Sequence, residues 1–152
     1  MNQIESIRFM KALRKIKDAG ISVWAIYTHA FYHTQGFENI IGRNNFWGVI
    51  KPHRWPGLVT VKAIKEYDAS DAKVVSTTEF ADWETIDEAL AFYLKRIEKD
   101  YDSSWKCKSC AYCFLFGLEY WDKDSIYERR LIDAYEFIRH DPEIGNDFEH
   151  YV

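Results

Sequence analysis

His33 is the residue whose position in this sequence best suits it for acid–base chemistry. It follows a mostly apolar segment at 23–32 and opens a polar segment, 33–37, with the letters HTQGF. A histidine can act as a general acid near neutral pH, because its ordinary pKa lies close to neutrality. The alternative role is structural, since the helix dipole favours a polar or cationic side chain at the C-terminal end of a helix.

Three cysteines form the second group with possible chemistry. Cys107, Cys110 and Cys113 follow one another at a spacing of three, which places them on roughly one side of a predicted helix. A Cys-x-x-Cys pair is half of a zinc site, but the chain has no second pair, so a fourth ligand would have to be a distant histidine. The alternative is small, half-buried residues in a reducing compartment. We predict no metal and no cofactor.

The helix that positions His33 is predicted to be the centre of the fold. Asn2 and Glu5 form a capping box for a first helix, and Gly20 ends it. Ser22 can cap the second helix, which is apolar nearly all round. Such a helix is typical of the middle of a domain.

Later helices also carry their own start signals. Thr85 with Glu88 and Ser125 with Glu128 are two further capping boxes. Between them we predict another helix at about 109–120.

A loop-rich segment and a hairpin separate the two helical parts. Residues 36–57 mix glycines, prolines and tryptophans, a composition that suits the wall of a substrate groove or ordinary loop packing. Two β-type segments follow, at 58–67 and 73–80, with a turn at 68–71.

Composition limits the class of protein. A chain of 152 residues is expected to form a single domain, 1–152, with an acidic tail at 139–152 that lies at the surface or packs loosely. Ten Tyr, ten Phe and six Trp suit a core or a sugar-binding groove, where rings stack on pyranose faces. A net charge of -4 argues against nucleic-acid binding.

The N-terminal residues have no basic region followed by an apolar run, so we expect no signal peptide. No apolar stretch approaches the length of a membrane span, so no membrane partner is expected. The protein would then be cytoplasmic at synthesis. If it is directed to a cell wall, this suits a phage product that is associated with the virion or released at lysis.

The order of these features resembles the glucosaminidase branch of the lysozyme-like glycosidases, glycoside hydrolase family 73. Family members read E-(S/T)-G-x-(G/W/F) at the helix exit, then N-N-(L/F)-F-G, W-x-G, a strand ending T-x-E-Y, a strand ending F-R-x-Y-x-S, and a closing Y-A-T-D-x-x-Y. The counterparts here are 33–37 (HTQGF), 44–48 (NNFWG), 55–57 (WPG), 65–67 (KEY), 80–84 (FADWE) and 117–127 (GLEYWDKDSIY). The resemblance covers about 4–138. It implies an α+β, mainly α fold: a lysozyme-like helical domain with a small β-hairpin.

This chain departs from the family at the catalytic positions. The resemblance implies a glutamate at the helix exit as the general acid, helped by a hairpin glutamate and a strand-end tyrosine. The matching residues here are His33, Glu66 and Trp83, so only the hairpin carboxylate is kept. Glu38, five residues past His33, could replace the acid if the loop brings it into the groove. The alternatives are that Glu38 is an exposed first-turn residue and Glu66 a solvated strand residue.

We also predict five residues that contact the glycan: Asn45, Trp47, Trp55, Tyr67 and Trp83. For Asn45 and Trp47, with Asn44, the alternative is that they hold the loop through backbone hydrogen bonds.

These observations predict a divergent peptidoglycan glucosaminidase-like protein. It would act on or bind the β-1,4 linkages of N-acetylglucosamine and N-acetylmuramic acid, with catalysis lost or altered. The expected partner is peptidoglycan or a related glycan. The alternative is a non-catalytic structural or virion-associated protein that reuses the fold and binds other virion proteins.

Overall fold

A computed structural model describes residues 1–67 and 69–152, with the side chains of 64–67 left out of the description. The predicted α+β, mainly α fold is confirmed: the described residues form a set of packed helices and one two-stranded antiparallel sheet. The elements in chain order are α1 (Gln3–Leu13), a 3₁₀ turn (Arg14–Ile16), α2 (Val23–His33), β1 (Leu58–Tyr67), β2 (Lys73–Asp82), α3 (Ile86–Asp100), α4 (Asp102–Lys106), α5 (Ala111–Phe116), α6 (Tyr127–His140) and α7 (Pro142–Tyr151).

The predicted caps of the first two helices are confirmed. Asn2 Oδ1 accepts a hydrogen bond from the backbone N–H of Glu5, at 3.3 Å, at the start of α1. Ser22 Oγ accepts one from the N–H of Ala25, at 3.2 Å, at the start of α2. Each cap satisfies an N–H that has no partner within its helix.

Helix α2 lies at the centre of the hydrophobic core. Its residues Ala25, Ile26, Tyr27 and Ala30 are all fully buried. The aromatic rings of Phe9, Phe37, Phe46 and Trp47 pack together beside it, with the Phe9 and Phe46 ring centroids 4.8 Å apart. The packing of rings on this helix fixes where its C-terminal end, and therefore His33, is placed.

A single carboxylate attaches the loop after α2 to the sheet. Asp82, at the end of β2, accepts hydrogen bonds from the N–H groups of Arg43, at 2.8 Å, and Asn44, at 2.9 Å, and from Thr60 Oγ1, at 3.0 Å. Gly42 has a positive φ of 59°, and a Cβ there would lie 2.2 Å from Asp82 Oδ2. Only glycine allows the loop to approach this carboxylate so closely.

The hairpin projects from the core at one end. Strands β1 and β2 pair from Leu58 with Asp82 to Tyr67 with Lys73, and β2 is buried only at its C-terminal end. Exposed valines lie along the outer part: Val59, Val61, Val74 and Val75. The predicted hairpin is confirmed, with its second strand two residues longer than predicted.

Two helix boundaries predicted in the C-terminal half are wrong. The helix predicted at 109–120 is only Ala111–Phe116, because Ser104 Oγ donates to the Phe114 carbonyl, at 2.7 Å, and takes the place of the next helical N–H. The predicted Ser125–Glu128 capping box is also wrong. Asp124 supplies the side-chain hydrogen bond of this turn, with Oδ1 accepting from the N–H of Ile126 at 3.1 Å.

The acidic C-terminal segment is a packed helix rather than a loose tail. Asp141 caps α7 by accepting from the N–H groups of Glu143 and Ile144, both at 3.0 Å. Ile144 and Phe148, four residues apart, are buried, and Phe148 stacks on Trp24 with 3.7 Å between ring centroids. The expectation of loose packing failed because this apolar pair shares one side of the helix, away from the acidic residues.

Within the described residues, no helix is both long enough and apolar enough to cross a membrane.

We predict that Asp82→Ala lowers the free energy of unfolding by roughly 3 kcal/mol, because it leaves several buried donors without an acceptor. The matched control is Glu79→Ala on the same strand, where the lost partner is an exposed ion pair with Lys51 and the expected cost is below about 1 kcal/mol. Urea unfolding followed by circular dichroism measures both. Equal effects of the two substitutions would show that the loop does not depend on Asp82.

Candidate functional site

The C-terminal end of α2 carries a chain of hydrogen-bonded side chains. His33 Nε2 lies 2.5 Å from the hydroxyl of Tyr127, at the start of α6. His29 Nε2 lies 2.8 Å from the same hydroxyl, and His29 Nδ1 lies 2.8 Å from the hydroxyl of Tyr93 on α3. His29 and His33 are one helical turn apart and therefore face the same way. The result is a continuous polar path, Tyr93–His29–Tyr127–His33, which connects three helices.

Burial keeps both imidazoles neutral. It lowers the pKa of His33 to about 4, although the charge of Asp122 opposes this effect. It lowers the pKa of His29 well below the ordinary value, and His33 adds to the shift. Burial also raises the pKa of the Tyr127 hydroxyl far above its usual range. At neutral pH the path is therefore uncharged.

Neutrality limits the path to two proton arrangements. The single Tyr127 proton can go to only one of its two imidazole neighbours, so the other imidazole must donate its N–H to the Tyr127 oxygen. If His29 donates at Nε2, its Nδ1 accepts from Tyr93; if His33 donates, His29 Nδ1 donates to Tyr93. All the hydrogen bonds then run in one direction along the path.

Two tryptophans hold this path in place. The Trp121 ring meets His29 edge-on, with centroids 4.8 Å apart, and its Nε1 donates to the Trp47 carbonyl at 3.1 Å. The Trp47 ring stacks on Tyr93, at 4.2 Å. The loop after α2 and the segment before α6 are thus fixed against the same histidine.

Asp122 is a carboxylate whose charge reaches the end of α2. Its charge raises the pKa of His33 and contributes to the raised pKa of Tyr127. The side chain is exposed, and its Oδ1 accepts from the N–H of Asp124 at 3.0 Å. Asp122, Trp121 and Glu128 help to line a cavity of about 490 Å³. An exposed carboxylate therefore acts through its charge on the half-buried His33.

The other two predicted acids are placed differently. Glu38 is 53% exposed, and its carboxylate lies 3.3 Å from the N-terminal ammonium of Met1. It lines a cavity of about 230 Å³ together with α1 residues that include Arg8. The Glu38 side chain therefore lies on the side of the loop that faces the N-terminus and α1. The backbone of Glu66 and Tyr67 pairs with Val74 and Lys73, but the side chains of these two predicted residues lie outside the described part of the chain.

Asn45 and Trp47 have their contacts inside the loop. Asn45 Nδ2 donates to the carbonyls of Val49, at 2.9 Å, and Ala81, at 2.7 Å. Asn45 Oδ1 accepts from the N–H groups of Trp47 and Val49. The Trp47 side chain is 0% exposed. These contacts match the loop-holding role that was the alternative to glycan contact.

The structure does bring together the two remaining predicted residues, Trp55 and Trp83. Their ring centroids are 5.6 Å apart, and each ring also contacts Phe92 of α3. They line a cavity of about 500 Å³ with Glu84 and Glu88 on its rim. The half-buried Trp55 and the more deeply buried Trp83 form an aromatic wall, which we call the tryptophan wall.

The three cysteines do not share one helical side as predicted. Cys107 follows α4, Cys110 precedes α5, and Cys113 lies within α5. Within the described residues, no group of three or more His, Cys, Asp or Glu side chains is arranged to hold a metal ion.

Sequence analysis missed most of the polar path. The spacing of four between His29 and His33 was the available signal, because it places both imidazoles on one side of an apolar helix. Tyr127 appeared only as the last residue of the closing motif at 117–127, and Tyr93 was not singled out. Nothing local to Asp122 marks it as a neighbour of His33.

The fold is shared with several solved structures. A peptidoglycan hydrolase mutant from Sphingomonas sp. A1 superposes with a TM-score of 0.69 at 16% identity, covering 94% of this chain and 95% of that one. The glycoside hydrolase domain of Salmonella typhimurium FlgJ gives 0.68 at 19% identity, covering 99% and 96%. The catalytic domain of the Listeria monocytogenes autolysin Auto gives 0.68 at 15% identity, covering 97% and 86%. No protein-family model matches the sequence, and no curated protein is significantly similar to it.

These similarities confirm the lysozyme-like fold that the sequence resemblance implied. They extend over nearly the full length of both partners, while the sequence identities stay below 20%. A shared fold at this distance does not carry a shared reaction, so the chemistry has to be inferred from the residues of this chain.

We predict that His33 makes the protein less stable at acid pH. The pKa of His33 is about 4 in the folded protein and about 6.5 in an unfolded chain, so between these values only the unfolded state binds the proton. Stability is therefore full above pH 6.5 and falls as the pH decreases toward 4. Between pH 7 and 4.5 the wild type should lose about 2 kcal/mol more than His33→Gln.

Urea unfolding of both proteins over this pH range measures the effect. The difference in free energy of unfolding between the two proteins at pH 7.5 measures the cost of losing the hydrogen bond to Tyr127. This value is subtracted at every other pH. The same pH dependence in both proteins would contradict the burial of a neutral His33.

Proposed function

We propose that this chain is a divergent peptidoglycan glucosaminidase-like protein that binds cell-wall glycan and does not use His33 as a general acid. The observation that carries the proposal is the neutral His33–Tyr127 pair at the end of α2. This is the place where the family resemblance implies a catalytic glutamate. The protein would bind the β-1,4-linked N-acetylglucosamine and N-acetylmuramic acid strands without cleaving them at this position.

The protonation state of His33 is the first support. A general acid must hold a transferable proton at the working pH. With a pKa of about 4, only about one His33 in a thousand is protonated at pH 7. Glycosidases instead keep a carboxylic acid protonated by placing it in an apolar site. In the same surroundings, burial removes the proton from a histidine.

The tryptophan wall is the second support, because it offers a surface for sugar rings. Trp55 is half-buried and presents part of its ring to the cavity that it shares with Trp83. Aromatic faces bury apolar area against a ligand, and the indole N–H gives tryptophan a polar handle. Glu84 and Glu88 on the rim can accept hydrogen bonds from sugar hydroxyls. The solved structures with this fold are peptidoglycan hydrolases and glycoside hydrolase domains, and this favours a glycan ligand here.

The hairpin favours one alternative, a structural or virion-associated role in a phage product. Val59, Val61, Val74 and Val75 are exposed on two long strands. Exposed apolar side chains on a projecting hairpin are typical of surfaces that meet another protein. Under this alternative the fold is kept for assembly, and the protein binds no glycan.

Our prediction for hydrolysis compares wild type with His33→Glu. Purified peptidoglycan of several wall types is incubated with each protein at pH 6–7, and soluble muropeptides are separated by chromatography. We expect no release by wild type and measurable release by His33→Glu, because a partly buried glutamate at this position has a raised pKa and can protonate the leaving oxygen. His33→Gln is the matched control, because the glutamine side chain has the same size as glutamate but has no carboxylic acid to donate a proton.

Two further variants identify an acid if wild type is active. Glu66→Gln removes the carboxylate of the hairpin, and Asp122→Asn removes the exposed carboxylate that precedes α6. Release by wild type that either substitution abolishes would overturn the proposal and assign the reaction to that carboxylate.

Our prediction for binding concerns Trp55. Trp55→Ala should weaken sedimentation of the protein with insoluble peptidoglycan about tenfold, since stacking of one ring and its buried area contribute about 1–2 kcal/mol. Trp105→Ala is the matched control: this half-buried tryptophan on α4 packs under Lys108 and should leave binding unchanged. Failure of wild type to sediment would exclude the glycan and favour the assembly role.

A further inference from the structure

One ring nitrogen of His33 reaches solvent. His33 Nε2 lies 2.5 Å from the Tyr127 hydroxyl, whereas Nδ1 has no hydrogen-bond partner within the described residues and is not buried. A Cβ at Gly48 would lie 3.8 Å from His33 Nδ1, so a side chain at position 48 would stand next to this nitrogen. Glycine leaves the approach free. His33 Nδ1 is therefore the outer end of the polar path.

The inner end of the path is closed. The Tyr93 side chain is 0% exposed, and its hydroxyl has one hydrogen-bond partner within the described residues, His29 Nδ1 at 2.8 Å. His29 is also 0% exposed, and both of its partners are neutral hydroxyls. The path therefore ends in the core at Tyr93 and in solvent at His33.

The closed end selects one of the two proton arrangements. If His29 Nδ1 donated to Tyr93, the Tyr93 proton would have no acceptor among the described residues, and an unpaired buried donor disfavours a state by about tenfold. If Tyr93 donates to His29 Nδ1, every proton inside the core has an acceptor. His29 then donates from Nε2 to Tyr127, and Tyr127 donates to His33 Nε2. The remaining His33 proton is on Nδ1, at the solvent side.

We propose that His33 is held as the Nδ1–H tautomer and that this N–H donates a hydrogen bond to the acetamido carbonyl of a bound N-acetyl sugar. Tyr93 is a positioning residue, because it sets the tautomer of His33 through three hydrogen bonds without touching the ligand. The ligand rests on the proposed function, whereas the tautomer follows from the path alone.

A donor of fixed direction distinguishes two kinds of sugar. The carbonyl oxygen of an acetamido group accepts hydrogen bonds and never donates, so it is complementary to His33 Nδ1–H. A free amino group in its protonated form has only donors, and His33 can accept from it only if the path reverses and leaves the Tyr93 proton unpaired. His33 therefore favours N-acetylated strands over de-N-acetylated ones. The proton stays on His33 in this contact, as in a protein that does not use His33 as a general acid.

Nitrogen-15 NMR of the free protein tests the tautomer. In protein labelled with ¹⁵N histidine, a long-range ¹H–¹⁵N correlation spectrum separates protonated from unprotonated ring nitrogens. The chain has five histidines, and the signals missing from His33→Gln identify those of His33. At pH 7 we expect His33 to be protonated at Nδ1 and unprotonated at Nε2. A His33 ring protonated at Nε2 instead would overturn the proposal.

A second spectrum tests the positioning role of Tyr93. Tyr93→Phe removes the hydroxyl and keeps the buried ring, so both proton arrangements leave His29 Nδ1 without a partner. The preference for one tautomer should weaken, and the two His33 nitrogen signals should move toward each other. Tyr101→Phe is the matched control, because this half-buried tyrosine lies at the end of α3 and packs on Trp121 outside the path. Unchanged His33 signals in Tyr93→Phe would overturn the role of Tyr93.

Calorimetric titration with tetramers of N-acetylglucosamine and of glucosamine tests the ligand. Wild type should prefer the acetylated tetramer, and His33→Phe should reduce this preference about fivefold, because one hydrogen bond is lost. Comparing the ratio of the two affinities between the proteins cancels the effect of the ammonium charges on the glucosamine tetramer.

The outcomes separate this inference from the proposed function. An equal preference in wild type and His33→Phe would overturn the acetamido contact and leave glycan binding intact. Binding of neither tetramer by wild type would overturn the contact together with the glycan function. The spectrum of the free protein decides the tautomer in both cases.

Discussion

The burial of the central part of α2, and of His29 within it, is the constraint on which the rest of the structure depends. His29 is fully buried and must therefore have hydrogen-bond partners for both ring nitrogens, because an unpaired buried polar group costs as much as several apolar contacts contribute. Tyr93 and Tyr127 are those partners, and they lie on α3 and α6. One histidine therefore determines how two helices from the second half of the chain pack against a helix from the first half.

The same network decides the chemistry at the end of α2. The Tyr127 hydroxyl is hydrogen-bonded to His33 as well as to His29. The same hydroxyl therefore stabilises the core and holds His33, the residue at the position where a catalytic acid is expected. Desolvation then favours the neutral imidazole. A carboxylic acid in these surroundings would gain a proton by the same effect. A histidine at this position therefore reverses the consequence that burial would have for a carboxylic acid.

Apart from His33 Nδ1, the groups with open access lie away from this network. Asp122 is exposed, the tryptophan wall of Trp55 and Trp83 faces a separate cavity, and Cys110 and Cys113 are exposed near the start of α5. The rigid centre therefore carries the polar groups that cannot exchange protons at neutral pH. The solvent-facing segments around it carry the groups that can bind or react.

The sequence by itself implied the lysozyme-like fold through its resemblance to a known family, and it determined the local elements: the caps at Asn2 and Ser22, the apolar central helix and the hairpin. These follow from side-chain periodicity and from residues a few positions apart, which local sequence shows directly. Only the tertiary structure decided that Tyr127 bonds to His33, that Trp47 is inaccessible and that Phe148 fixes the C-terminal helix. Each of these results depends on a contact between residues far apart in the chain. Burial, which sets both the pKa of a group and its access to a ligand, is the sum of such contacts.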